Sequence, residues 1–197
     1  MSVETANVFF SVLSLAAGAL AVTVAIAAVV ARRSPDGRAA LLLDEIRPLA
    51  LWGAFAVAAT ATLGSLYYSE VEGLVPCEYC WYQRIAMYPL AVILGIAAVR
   101  GDTSIRRYAI PVAAIGLAIS AYHYQLEWFP DQSSSCSALV PCNVRYFEQF
   151  GFVSLAFMAL TGFAAIIALL AVAEPATDQP ADNDGGTHDR VPEELPA

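Results

Sequence analysis

Five apolar stretches dominate the sequence, each close to the roughly 20 residues that a helix needs to cross a bilayer. They cover about 7–31, 49–68, 81–99, 108–128 and 150–173. Hydrophobic residues make up 58% of the chain and charged residues only 14%, a balance that excludes an ordinary soluble domain. The sequence therefore predicts an all-α integral membrane protein.

The first stretch is expected to be a retained span rather than a cleaved signal peptide. No basic residue precedes it, its apolar run is long, and Arg32 and Arg33 follow it. A span with arginines only behind it places its N-terminus outside the cell, because positive residues stay on the cytoplasmic side.

The arginines predict how the other stretches are oriented, since the chain contains no lysine. The first and third connections hold Arg32, Arg33, Arg38, Arg47, Arg100, Arg106 and Arg107. Only Arg84 and Arg145 lie in or near the second and fourth connections. We therefore predict a multi-pass plasma-membrane protein whose second and fourth connections are outside and whose C-terminus is cytoplasmic.

All four cysteines lie in those outer connections, where disulfides persist. Two residues separate Cys77 from Cys80, and five separate Cys136 from Cys142. Close thiols form a redox pair, a structural disulfide or part of a metal site. The longer second spacing departs from common zinc sites, so we predict a redox relay between the pairs and no metal. Metal binding by the four thiols, or by thiols with His123, is the alternative.

Cys80 and Arg84 are predicted to lie on one face of a helix. The third stretch starts just behind Cys80, and a helix N-terminus stabilises a thiolate. Arg84 follows one turn later, where its charge could polarise a quinone carbonyl. A basic side chain reaching from a helix end to the lipid headgroups is the other explanation for Arg84.

Cys136 and Cys142 lie in a polar, serine-rich segment that a soluble partner could reach. The pair either exchanges with the thiols of such a partner or merely staples the loop. His123 stands near the outer end of the fourth stretch, where it is either a site residue or a side chain bonded to solvent.

Four segments together resemble the DsbB/BdbC family of disulfide bond formation proteins. They are 77–84 (CEYCWYQR), 87–90 (MYPL), 122–125 (YHYQ) and 136–142 (CSALVPC). A lone pair of cysteines would be weak evidence, but these segments stand in the order that the family has. The resemblance extends over about 49–173.

The resemblance implies a thiol:quinone oxidoreductase. Such an enzyme accepts electrons from a secreted, DsbA-like thiol oxidase with a thioredoxin fold and delivers them to ubiquinone or menaquinone. It implies that the partner's thiolate attacks Cys136 and that Cys142 then exchanges with Cys77. A vitamin-K-epoxide-reductase-like enzyme is the alternative in the same class, although there the loop pair precedes the CxxC pair. A membrane scaffold stapled by two disulfides is a further alternative.

The resemblance also implies a site and a division of the chain. Cys80 would face the quinone, Arg84 would bind near its carbonyl, and His123 would line the same pocket. The family core is a four-helix transmembrane bundle, expected here at 49–173. Residues 1–48 would then form an additional N-terminal transmembrane helix and a cytoplasmic loop. Residues 174–197, rich in Pro, Asp and Glu, are expected to be a disordered cytoplasmic tail.

Overall fold

Five long helices follow one another in the computed structural model, which describes residues 3–132, 136 and 140–173. They are α1 (Val3–Arg33), α2 (Arg38–Leu66), α3 (Glu78–Arg100), α4 (Arg106–Trp128) and α5 (Leu155–Val172). Each is long and apolar enough to cross a membrane, and these residues form no β-strand beyond one isolated bridge. The prediction of an all-α membrane protein is confirmed.

The second helix begins earlier than its apolar stretch. Sequence places this span from about residue 49, whereas α2 starts at Arg38 and includes Pro48. An ion pair between Arg47 and Asp44, with 2.7 Å between nitrogen and oxygen, lies on this added part. Hydropathy detects only the apolar part of a helix, so it misses charged turns that extend beyond the bilayer. The connection between α1 and α2 is consequently short, at 34–37.

The helix α5 lies at the centre of the bundle and packs against α1, α2 and α4. Phe163, Ile166 and Leu170 on α5 are fully buried. The closest approach is at Gly116 of α4, where a Cβ atom would lie 2.3 Å from the ring of Phe163. Small residues allow helices to approach in this way inside a membrane. The helix α3 completes the core by packing between α2 and α4.

The chain order places the two cysteine pairs at the same end of the bundle. Cys77 directly precedes α3, and Cys136 and Cys142 lie between the end of α4 and the start of α5. The seven arginines of the first and third connections lie at the opposite end, where α1 and α3 finish and α2 and α4 begin. The expected tail at 174–197 lies outside the described residues.

Candidate functional site

Cys77 is the N-cap residue of α3. Its backbone is extended, and its sulfur accepts a hydrogen bond from the backbone N–H of Cys80 at 3.3 Å. Its side chain therefore satisfies one of the unpaired N–H groups at the start of the helix. The sequence-based expectation that the helix begins behind Cys80 is wrong, because α3 begins at Glu78. The position that best stabilises an anion consequently belongs to Cys77.

Cys77 and Cys80 form a close dithiol. Their sulfur atoms are 2.7 Å apart, beyond the roughly 2.05 Å of a disulfide bond. Either sulfur can donate the hydrogen bond that joins them. With Cys80 as the donor, this bond is the main reason that the pKa of Cys77 is lowered. Burial acts in the opposite direction, while His123 adds to the lowering. Cys77 is therefore the member of the pair that ionises more readily, and its thiolate is the reactive form.

His123 approaches the same sulfur from α4. Its Nε2 lies 3.7 Å from the Cys77 sulfur, and its Nδ1 lies 3.3 Å from the side-chain nitrogen of Gln83. An amide nitrogen only donates, so Nδ1 accepts this bond and the ring proton is on Nε2, facing the thiolate. Gln83 thus orients His123, which is only 3% exposed, as a hydrogen-bond donor to Cys77.

The same three side chains are the group in the described residues best placed to hold a metal ion. The ligand atoms of Cys77, Cys80 and His123 all lie within 4.8 Å of one another. However, two thiolates on one tetrahedral zinc ion, each about 2.3 Å from it, are about 3.8 Å apart. The 2.7 Å between these sulfurs is shorter and suits thiol exchange better than coordination.

A cavity of about 300 Å³ lies beside Cys80, on the side of α3 that faces α2 and α5. Most of its lining is apolar, including Val57, Leu74, Met87 and Phe163. Cys80, Gln83 and Arg84 contribute a thiol, an amide and a positive charge. Cys80 and Arg84 therefore share one pocket, as expected from their spacing. The described residues that line it do not include His123, which contacts Cys77 instead.

Arg84 is held in place at the wall of this cavity. Its guanidinium donates a hydrogen bond to the backbone carbonyl of Ser65 on α2 at 3.1 Å. It also lies 5.3 Å from the ring centre of Trp81, a cation–π distance. An arginine that only reaches for lipid headgroups would need neither contact. These contacts instead fix the positive charge of Arg84 at the cavity wall.

Cys136 and Cys142 form a disulfide bond with a Cα–Cα distance of 6.0 Å. Cys142 is buried, whereas Cys136 is partly exposed. The residues around Cys136, 133–135 and 137–139, lie outside the described part of the chain. Of the two cysteines, Cys136 is the more exposed residue.

The segment that follows this disulfide lies over the start of α3. The hydroxyl of Tyr146 donates a hydrogen bond to the backbone carbonyl of Val75, two residues before Cys77, and Tyr146 also lines the cavity. Arg145 lies 4.2 Å from the ring centre of Trp128, at the end of α4. The Tyr146 contact holds this segment against the loop before α3, and the Arg145 contact holds it against the end of α4.

Sequence reasoning misses two polar side chains of this region. Gln83 is part of the quoted motif, but its role as the partner of His123 depends on the packing of α3 against α4. Glu127 is 8% exposed and accepts a hydrogen bond from Ser154. It lies 4.0 Å from the Arg145 guanidinium, which partly balances its charge. Its position one helical turn after His123 is the only signal that could have drawn attention to it.

Comparisons with known proteins agree with this geometry. The family model for the disulfide bond formation protein DsbB matches residues 47–173. Disulfide bond formation protein C of Bacillus subtilis is 48% identical over 119 residues, which are 59% of this chain and 86% of the relative. A probable disulfide formation protein of Oceanobacillus iheyensis is 48% identical over 112 residues, 55% of this chain and 77% of the relative. No solved structure matches the chain.

The family match distinguishes between the two classes of membrane thiol enzyme that the cysteine pattern allows. It covers α2 from residue 47 onward, α3 to α5 and both cysteine pairs, and it favours DsbB over a vitamin-K-epoxide-reductase-like enzyme. It also supports oxidoreductase activity in disulfide formation, the chemistry available to a dithiol and a disulfide at the same end of a bundle. The chain belongs to the DsbB family of disulfide bond formation proteins.

Proposed function

We propose that this protein is a protein-dithiol:quinone oxidoreductase of the plasma membrane. It reoxidises a secreted, DsbA-like thiol oxidase with a thioredoxin fold and passes the electrons to ubiquinone or menaquinone. The observation that carries the proposal is that Cys80 and Arg84 line one apolar cavity while the Cys77 sulfur lies against the Cys80 sulfur.

The first half of the reaction takes place at the loop disulfide. A thiolate of the partner attacks Cys136, the more exposed cysteine, which forms a mixed disulfide and releases Cys142 as a thiolate. The partner's second thiolate then attacks the mixed disulfide, so that the partner leaves oxidised and Cys136 and Cys142 are reduced. Two electrons have entered the protein, and protonation of the two released thiolates by water completes the reduced pair.

The second half passes these electrons between the pairs. Cys142 exchanges with an oxidised Cys77–Cys80 pair, which restores the Cys136–Cys142 bond and leaves Cys77 and Cys80 as a dithiol. The structure has this distribution, with a loop disulfide and a dithiol at α3. Low-pKa thiols leave readily in such exchanges, which suits Cys77.

The cavity beside Cys80 fits a quinone. Its apolar lining matches a quinone ring, and the guanidinium of Arg84 offers a donor and a fixed positive charge for a carbonyl oxygen. When bound, the quinone would accept two electrons from the pair, one proton from the Cys80 thiol and a second proton from water, and the Cys77–Cys80 disulfide would form. His123 holds the Cys77 thiolate in place, and Gln83 links it to the cavity wall.

The same proposal includes a topology. Both cysteine pairs and the N-terminus face outside, and the arginine-rich end and the C-terminus face the cytoplasm. Residues 1–48 add a transmembrane helix, its short cytoplasmic connection and the first turns of α2. Residues 49–173 form the rest of the four-helix oxidoreductase domain, and 174–197 form a cytoplasmic tail. The seven arginines at the end opposite the cysteines support this orientation.

A metal site is the second candidate function, favoured by the proximity of Cys77, Cys80 and His123. It predicts about one zinc ion per purified chain and loss of that zinc in Cys77→Ser and in His123→Leu. The oxidoreductase proposal predicts that quinone reduction by the purified protein persists after treatment with a chelator.

The direct test mixes the purified protein with a reduced thioredoxin-fold oxidase and ubiquinone-1 or menadione, and follows quinone absorbance. Wild type should turn over repeatedly, with one disulfide formed in the partner for each quinone reduced. Oxidation of the partner without loss of quinone would contradict the proposal.

A further inference from the structure

The helix α1 lies outside the segment that matches the DsbB family. The match begins at residue 47, whereas α1 ends at Arg33. Nevertheless, four α1 side chains line the cavity that contains Cys80 and Arg84: those of Phe10, Leu13, Ser14 and Ala17. An element that the family match does not include therefore shares a cavity with the reactive groups.

Small residues allow α1 to pack closely against the other helices. Ser11, Ser14 and Ala21 are buried on the face of α1 that meets the bundle. At Gly18, a Cβ atom would lie 3.2 Å from a methyl carbon of Thr161 on α5. Such close packing is the main source of helix association in a membrane, where no hydrophobic force drives it. The helix α1 is thus packed as an integral part of the bundle.

Contacts near the start of α1 also align it with the cavity. The hydroxyl of Tyr68, which lines the cavity from the π-helical turn Tyr67–Val71 after α2, donates a hydrogen bond to Asn7 at 2.9 Å. The ring of Phe10 lies over Gly64, where a Cβ atom would be 2.9 Å from it. A side chain at position 64 would displace the ring, so the glycine and the phenylalanine fit as a pair. These contacts place Phe10 level with the Cys77–Cys80 end of the bundle.

We infer that α1 forms one wall of the quinone pocket and that Phe10, Ser14 and Ala17 help to determine how the quinone binds. The inference rests on the proposed function. The α1 side of the cavity is apolar, because the Ser14 hydroxyl already donates a hydrogen bond to the backbone carbonyl of Ser11 at 2.8 Å. Because α1 packs against both α2 and α5, it covers the cavity where these two helices would otherwise leave it open to lipid.

Two neighbouring alanines provide a matched test. Ala17 lines the cavity, whereas Ala16 is exposed on the outside of α1. We expect Ala17→Phe to raise the KM for ubiquinone-1 by about tenfold, because overfilling a packed site costs roughly 1–3 kcal/mol. Ala16→Phe should change it by less than about twofold, since exposed substitutions cost little. Single-turnover oxidation of the reduced partner by the loop disulfide, without quinone, should be the same in both variants.

The result for wild type tests the proposed function, and the comparison of the two alanine variants tests whether α1 lines the quinone pocket. If wild type reduces quinone and the two alanine variants have equal KM values, α1 is not a wall of the pocket. If wild type reduces no quinone, the proposed function itself fails.

A second measurement needs no variant, in case Ala17→Phe does not fold. An azido-substituted ubiquinone is photolysed with the wild-type protein, and the labelled peptides are identified by mass spectrometry. Label on the α1 segment around Phe10–Ala17, competed by ubiquinone-1, would support the inference. Label confined to α2, α3 and α5 would overturn it.

Discussion

The two cysteine pairs lie at the same end of the bundle but in different surroundings. Cys77 and Cys80 are held by a helix start, with one sulfur capping α3 and the other facing an apolar cavity. Cys136 and Cys142 lie in a loop, bonded to each other, with one cysteine partly exposed. A pair on a helix keeps its geometry and its charge, whereas a pair on a loop offers access. The same side-chain chemistry is therefore divided between a fixed inner pair and a reachable outer pair.

The largest expected effect separates the pairs by function. Cys80→Ser should reduce the rate of quinone reduction by roughly 10³-fold or more, because the dithiol that supplies the electrons is gone. The intact Cys136–Cys142 disulfide should still oxidise about one equivalent of reduced partner, measured by thiol quantification after rapid quenching. Cys136→Ser should lose both reactions. Sustained quinone reduction by Cys136→Ser would contradict a relay through two pairs.

The next effect concerns the charge beside the inner pair. Arg84→Gln should lower kcat/KM for ubiquinone-1 by about 10²-fold, because a fixed donor to a developing negative charge is lost. Arg84→Lys should recover part of this loss, since it keeps the charge but not the planar fork. Arg107→Gln, at the exposed opposite end of the bundle, is the control and should resemble wild type. If kcat/KM falls equally in the Arg84 and Arg107 variants, Arg84 has no specific role in quinone binding.

A smaller effect should appear in the pH dependence of the inner pair. His123→Leu removes a donor to the Cys77 thiolate, so the lowered pKa of Cys77 should rise. It should stay below the usual value because the bond from Cys80 remains. The thiolate is present above the pKa and lost below it, so its absorbance at 240 nm should disappear at a higher pH than in wild type. Ser120→Ala on the same helix should leave this titration unchanged. An unchanged titration in His123→Leu would mean that the imidazole does not stabilise the thiolate.

The smallest expected effect concerns the hydrogen bond that holds the loop of the outer pair against the start of α3. Tyr146→Phe removes the hydrogen bond to the Val75 carbonyl and should cost about 1 kcal/mol of stability, measured by thermal unfolding. Tyr108→Phe, at an exposed tyrosine, should cost much less. If both variants unfold alike, the contact between Tyr146 and Val75 does not hold the loop.

Sequence predicts the architecture well because its signals are local. Apolar length predicts five helices, and the four cysteines fall into two pairs at one end of the bundle, as the arginine asymmetry leads one to expect. The spacing of Cys80 and Arg84 predicts one shared helix face, and both side chains line the same cavity. Each of these features depends on short stretches of chain.

The features that sequence misses depend on packing between distant segments. Gln83 and His123 are 40 residues apart, and only the contact of α3 with α4 joins them. The cap at Cys77 was missed because the charged and aromatic residues after it hide the helix start from a hydropathy profile. The position of α1 on the cavity also follows from its packing against α2 and α5, which no motif records.

The cap at Cys77 links the chemical state of the protein to the order of its backbone. As a thiolate, this sulfur is a charged acceptor at the positive end of α3, the most favourable kind of cap. In a disulfide the same sulfur is neutral and accepts hydrogen bonds poorly, so the first turn of α3 loses roughly 1 kcal/mol of support. Each catalytic cycle should therefore loosen and tighten that turn, which would appear as faster amide hydrogen exchange at Cys80 and Trp81 in the oxidised protein.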